Sequence, residues 1–161
     1  MRKSLKKPVS LALALILLLA LLPVWAITPA AAAGNTEKES NDTLSTANAI
    51  AVNTQITGNL MKSSDEDWFS FTLSKDGYIS LTFGHESQIV GSSNYWATAF
   101  YTSDNSIIDA WTNWEGNTTV DGSTCKIGLP AGTYYLCVDK ASSYSDQTYH
   151  FTVNFTASTV W

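Results

Sequence analysis

Apolar and polar residues alternate along most of the chain after residue 43, in short runs separated by turn-forming residues. A period of two places successive side chains on opposite faces of a strand, and the β-branched and aromatic residues of these runs favour strands. The clearest runs are 67–73, 77–83 and 147–156. Further strands are predicted at 48–52, 55–61, 95–102, 106–112, 117–120, 123–129 and 132–139. This spacing predicts an all-β sandwich of about eight to ten short antiparallel strands.

Two turns are predicted to join neighbouring strands into hairpins. One lies at 75–77, and the other lies at 129–133, between strands that carry Cys125 and Cys137. A three-residue loop in the second turn would set the two cysteines opposite each other, where an exported chain can form a disulfide. The hydrophobic pattern favours a different register, with Cys125 buried and Cys137 an exposed free thiol. The sequence leaves both arrangements open.

The N-terminus has the pattern of a secretory signal. Four basic residues precede an apolar run at 9–22, which only Ser10 interrupts, and small residues follow as far as Ala33. This pattern predicts a signal peptide at 1–33, with cleavage after Ala33 or after Ala26, and a secreted, extracellular protein. The alternative is an uncleaved anchor, because the apolar stretch 9–27 is just long enough to span a bilayer.

Removal of 1–33 leaves 128 residues, which is enough for one packed domain. We expect a polar N-terminal segment at 34–43 and a sandwich domain at 44–161. This mature part has five lysines against 14 carboxylates, so its formal charge is 5 − 14 = −9. Such a surface repels nucleic acid and anionic lipid, so neither is an expected partner after signal cleavage.

Two acidic clusters, at 37–42 and 65–67, carry closely spaced carboxylates, and the first cluster also carries an asparagine amide. Calcium takes six to eight oxygen ligands of these types, so the clusters are candidates for a calcium site. A solvated acidic surface is the alternative, and the residues by themselves do not separate the two. Nothing else in the chain resembles catalytic chemistry. The only histidines, His85 and His150, sit in no recognisable motif, so no enzyme activity is predicted.

Aromatic residues are numerous for a domain of this size, and exposed Trp and Tyr can stack on sugars or pack against peptides. In the strand at 95–101, alternation requires that either Tyr95 and Tyr101 or Trp96 and Phe100 face outward. Trp111 and Trp114 are predicted to flank a polar turn as an exposed pair. The predicted ligand-binding residues are therefore Tyr95, Tyr101, Trp111 and Trp114, with a role in the core as the alternative.

Several landmarks follow one another in a fixed order: Glu37-x-Glu39-x-Asn41-Asp42, Gly58-x-Leu60, Asp65-x-Asp67-Trp68-Phe69, the run from Leu129 to Val138, and Tyr149-x-Phe151-x-Val153. This order resembles the bacterial pre-peptidase C-terminal domain family, to which the collagen-binding domains of clostridial collagenases are related. The resemblance implies a jelly-roll-like β-sandwich that accompanies secreted peptidases. It also implies calcium held between the N-terminal segment and the loop before the Asp-Trp-Phe strand, with ligands at Glu37, Glu39, Asn41, Asp42, Asp65 and Asp67.

The expected function is a secreted, non-enzymatic, calcium-stabilised binding module. Its expected partner is an extracellular protein, either collagen-like or a secreted peptidase, or a cell-surface ligand. A carbohydrate-binding module that holds a polysaccharide on its aromatic residues is one alternative, and a small secreted hydrolase is another. Loss of protein binding on chelation favours the first function, and retention on insoluble polysaccharide favours the second.

Overall fold

The computed structural model of the protein describes residues 35–85, 94–115 and 122–158. Within these ranges, no helical segment is long and apolar enough to cross a membrane. The predicted signal peptide and the predicted strand at 117–120 lie outside the described residues. The elements are a 3-10 turn at Leu44–Thr46 and the strands β1 (Asn48–Ala49), β2 (Gln55–Gly58), β3 (Glu66–Leu73), β4 (Gly77–His85), β5 (Asn94–Tyr101), β6 (Ile107–Glu115), β7 (Gly122–Ser123), β8 (Ile127–Leu129), β9 (Gly132–Lys140) and β10 (Tyr149–Ala157).

The strands form two sheets, which confirms the predicted β-sandwich. The front sheet has the order β1-β3-β9-β5-β6, and the back sheet has the order β2-β10-β4-β7, with β8 also paired to β4. The pairings between these named strands are antiparallel except that of β1 with β3, which is parallel. The prediction of antiparallel strands throughout is therefore wrong for β1. This two-residue strand meets β3 at the edge of the front sheet, where Ile50 N donates to Ser70 O at 2.8 Å.

The core lies between the sheets and follows from the alternation read in the sequence. In β3 the buried side chains include Phe69 and Phe71, and in β10 they include Phe151 and Val153. The rings of Phe69 and Phe151 meet edge to face across the two sheets, with centroids 4.8 Å apart. Full burial of each such side chain contributes roughly 1.5–3 kcal/mol to the stability of the sandwich.

The predicted hairpin at 75–77 is wrong. β3 belongs to the front sheet and β4 to the back sheet, so the turn carries the chain from one sheet to the other. Both strands present one apolar face to the same core, and an alternating pattern fits a crossing between sheets as well as it fits a hairpin. Asp76, in this crossing, accepts a hydrogen bond on Oδ1 from Ala131 N at 2.8 Å.

The predicted hairpin at 129–133 is wrong for the same reason, because β8 pairs with β4 in the back sheet and β9 pairs in the front sheet. The crossing is closed by Tyr134, whose hydroxyl donates to Pro130 O at 2.9 Å. Cys125 and Cys137 are both free thiols. Cys125 is exposed and Cys137 is buried, which is the reverse of the burial expected for unbonded cysteines.

We predict that Tyr134→Phe lowers the free energy of unfolding by about 1 kcal/mol, because it removes one hydrogen bond at the crossing and keeps the ring in the core. Urea denaturation measures this change. Tyr135→Phe is the matched control, since Tyr135 lies next in the strand and faces the other side of the sheet. An equal effect of the two substitutions would show that the Pro130 hydrogen bond has no special role.

Candidate metal centre

The N-terminal segment, residues 35–42, is tied to both sheets by backbone hydrogen bonds. Glu37 N donates to Thr57 O at 2.9 Å and Thr57 N donates to Asn35 O at 2.8 Å, so the segment runs parallel to β2. Further along, Trp68 N in β3 donates to Asn41 O at 2.9 Å. These contacts place the side chains of the first acidic cluster at the ends of β2 and β3.

Glu37 occupies a space that exists because residue 58 is a glycine. Its Oε1 accepts a hydrogen bond from Asn59 N at 2.6 Å. A Cβ atom at Gly58 would lie 2.5 Å from the Tyr149 hydroxyl and would also collide with Oε2 of Glu37. A side chain at Gly58 would therefore push the carboxylate out of this position.

Asp67 is fully buried at the beginning of β3, as the alternation of this strand requires. Its Oδ2 accepts a hydrogen bond from the Tyr149 hydroxyl at 2.6 Å. The same hydroxyl lies 3.0 Å from Oε2 of Glu37 and is a donor to it. One hydroxyl proton cannot fully satisfy two carboxylates, and Oδ1 of Asp67 has no hydrogen-bond partner among the described residues. An unsatisfied buried carboxylate oxygen of this kind is energetically costly.

The two carboxylates are joined by a third. Glu37, Glu39 and Asp67 each offer one oxygen atom, and these three atoms lie within 4.8 Å of one another. Glu37 is half-buried, Glu39 is exposed and Asp67 is buried, so the group opens to solvent on the Glu39 side. Three negative charges at this separation repel one another unless protons or a cation offset them.

The pKa values of all three carboxylates are raised. Burial is the main cause that raises the pKa of Asp67 to about 9, and the charge of Glu37 adds to it. Burial also raises the pKa of Glu37. The pKa of Glu39 is raised, first by burial and then by the charges of Asp65 and Asp42. Without a cation, the group therefore retains protons that carboxylates ordinarily lose near pH 4.

Asn41 is fully buried and contacts Trp68, the residue that follows Asp67 in β3. Its Nδ2 donates to Trp68 O at 3.4 Å, while its Oδ1 has no hydrogen-bond partner among the described residues. Asn41 and Asp67 thus each hold a buried oxygen without a partner, on segments bonded to each other at Trp68. Both oxygens are of the type that hard cations bind.

The remaining two predicted ligands lie outside the three-carboxylate group. Asp65 is buried, and its Oδ2 accepts a hydrogen bond from Met61 N at 2.6 Å, which closes the loop before β3. Asp42 is half-buried and acts on Glu39 through its charge. The structure therefore brings three of the six predicted ligands together and sets Asn41, Asp42 and Asp65 around them.

Two residues of the site had no role assigned from the sequence. Tyr149 supplies the hydroxyl that bridges Glu37 and Asp67, and Gly58 supplies the space beside it. Both occur among the sequence landmarks, but an aromatic residue in an alternating strand is ordinarily a core residue. The signal for their role is their pairing, since Tyr149 lies opposite Gly58 in the register of β10 and β2.

The aromatic candidates divide between the core and the outer face of the front sheet. Trp96 and Phe100 are fully buried, so Tyr95 and Tyr101 take the outward positions and are half-buried. Trp111 is also half-buried, and its ring meets Phe100 edge-on with centroids 5.7 Å apart. The prediction that Trp111 and Trp114 flank a turn is wrong, because both lie within β6, where Trp114 pairs with Trp96.

The fold was compared with known proteins. No family model matches the chain, and no curated protein matches it. Among solved structures, the chain is similar to the pre-peptidase C-terminal domain of a collagenase from Bacillus anthracis, with a TM-score of 0.51 and 22% sequence identity. The similarity covers 66% of this chain and 93% of that domain. The chain therefore has the fold of a pre-peptidase C-terminal domain, as the sequence landmarks implied.

We predict that the metal-free protein loses stability as the pH rises. The pKa of Asp67 is higher in the folded protein, about 9, than its ordinary value of 3.8. The folded state therefore binds this proton more tightly than the unfolded chain does. Its stabilising effect is complete below about pH 4 and declines as the pH approaches 9. Urea denaturation in metal-free buffers between pH 5 and pH 9 measures this decline.

Asp67→Asn is the control for this pH dependence. The amide is neutral at every pH and its oxygen can still accept the Tyr149 hydrogen bond. The variant should lose less stability than the unsubstituted protein over the same pH range. Equal pH dependence of the two proteins would contradict the raised pKa of Asp67.

Proposed function

We propose that this protein is a secreted, non-catalytic binding module of the pre-peptidase C-terminal type, whose N-terminal segment is fixed by calcium. The single observation that carries the metal assignment is the buried carboxylate of Asp67, whose Oδ1 lacks a partner while two further carboxylates lie beside it. A cation at this group would meet these oxygens and replace the retained protons. It would stabilise only the folded protein, because the ligands come from segments that are far apart in the sequence.

Calcium is the cation that this donor set fits best. The group contains carboxylates and no histidine or cysteine, which disfavours zinc and other soft or borderline metals. Its opening on the Glu39 side leaves room for water ligands. Calcium tolerates irregular sets of six to eight oxygen ligands, whereas magnesium requires a nearly ideal octahedron. Asn41 supplies a further amide oxygen close to the group.

Three features support a secreted role without catalysis. The N-terminal sequence has the pattern of a signal peptide, and the landmark residues of the family fall at structurally necessary positions such as Gly58. His85 is buried at the end of β4 with its ring stacked on Trp96, centroids 5.1 Å apart, which is a packing role. We propose that the ligand is an extracellular protein.

Thermal unfolding of the purified protein, with calcium and with a chelator, tests the metal assignment. Calcium at about a hundredfold excess over its dissociation constant should raise the free energy of unfolding by about 2.7 kcal/mol. Glu39→Gln should weaken this response and Asp67→Asn should abolish it. The matched control is Glu66→Gln, which removes the neighbouring charge on the opposite face of β3. If chelator leaves the midpoint unchanged, the acidic clusters are solvated surface and the calcium proposal fails.

A further inference from the structure

A groove of about 170 Å³ runs along the outer face of the front sheet, on the side away from the core. Its floor is made by small side chains in three neighbouring strands: Cys137 in β9, Ala97 and Ala99 in β5, and Ala110 in β6. Cys137 lies opposite Ala99 in the register of the two strands. The run of small residues between larger neighbours is what makes the depression.

An aromatic ring that is held in place lines this groove. Tyr101 lines it from β5, and its ring packs against Trp68 of β3 with centroids 4.9 Å apart. Trp111 borders the groove from β6, but its ring faces the core, where it meets Phe100 edge-on with centroids 5.7 Å apart. Rings that are already immobilised lose little conformational entropy when a ligand packs on them.

Two carboxylates, of Glu66 and Asp139, also line the groove and lie directly opposite each other on β3 and β9. Like charges at opposed positions of an antiparallel pair are destabilising. Burial raises the pKa of Asp139, and the charge of Glu66 raises it further, by more than the charge of Lys140 lowers it. Among the described residues that line the groove there is no lysine or arginine. The pair therefore presents negative charge that the groove does not neutralise.

One oxygen of each carboxylate already has a partner. Oε2 of Glu66 accepts a hydrogen bond from Trp68 Nε1 at 3.1 Å, and Oδ1 of Asp139 accepts one from Lys140 N at 2.6 Å. These bonds fix the two carboxylates and leave the other oxygen of each for a ligand. Fixed carboxylates beside an aromatic ring are suited to a planar cation.

We propose that this groove binds an arginine side chain displayed by an extracellular protein, an inference that rests on the proposed binding function. The guanidinium group would lie against the ring of Tyr101 and donate to Glu66 and Asp139. Arginine fits better than lysine because its cation is planar, weakly hydrated and able to stack on an aromatic ring. A neutral sugar could use the ring, but it would leave the opposed carboxylates unneutralised. The negative charge of the mature chain would also speed the approach of a basic segment.

The test is an NMR titration of the isotope-labelled protein, in the presence of calcium, with a capped peptide that carries one arginine between glycines. We expect saturable shifts of the backbone amides at Ala97, Ala99 and Cys137.

A peptide with citrulline, which keeps the shape of arginine without its charge, should bind at least about tenfold more weakly, because charge-assisted hydrogen bonds are lost. The double variant Glu66→Gln, Asp139→Asn should weaken arginine binding by a similar factor. Asp109→Asn, at an exposed carboxylate of β6 outside the groove lining, should change it less than about twofold.

Three outcomes would overturn the proposal: equal binding of the citrulline peptide, unchanged binding by the double variant, or no shift at the groove amides. Binding of a neutral polysaccharide that the double variant does not weaken would assign the groove to a sugar instead. The neighbours Glu66 and Asp67 separate this proposal from the calcium proposal. Glu66→Gln should weaken arginine binding and keep the calcium response, and Asp67→Asn should do the reverse. A calcium response without arginine binding would overturn the proposal for the groove and leave the calcium proposal standing.

Discussion

The hydroxyl of Tyr149, shared between Asp67 and Glu37, is the contact on which the site and the N-terminal segment depend. It joins the beginning of β10, the beginning of β3 and the segment before the sandwich at one buried point. Because one proton serves two carboxylates, the contact is stable only when another proton or a cation offsets the remaining charge. Folding of this region is thereby linked to the pH and to the concentration of cations, whereas the packing of the apolar core between the sheets involves no charged group.

Strand β3 connects the two candidate sites through its alternation. Asp67 points inward to the acidic group, while Glu66 lines the outer groove and accepts a hydrogen bond from Trp68, so neighbouring residues serve opposite faces. The family resemblance does not predict this separation of the two candidate sites on opposite faces of one strand. It follows from the period of two and from the pairing of Glu66 with Asp139.

The strands were predictable from the sequence because alternation reports directly which residues face a core. The partners of each strand were not, since alternation is the same whether a turn such as 75–77 closes a hairpin or crosses between sheets. The acidic clusters were recognisable by their spacing, but the family resemblance identified the six ligands, and three of them do converge. The roles of Tyr149 and Gly58 depend on a register between distant strands, which no local pattern contains.

The central claim is that a cation takes the place of protons held at the acidic group. Calorimetric titration of calcium into the purified protein, repeated at pH 7.5 in buffers of different ionisation enthalpy, measures the protons released on binding. We predict a net release of protons, because the pKa of Asp67 is raised to about 9 before calcium binds. Calcium binding without proton release, or no calcium binding at all, would contradict this prediction.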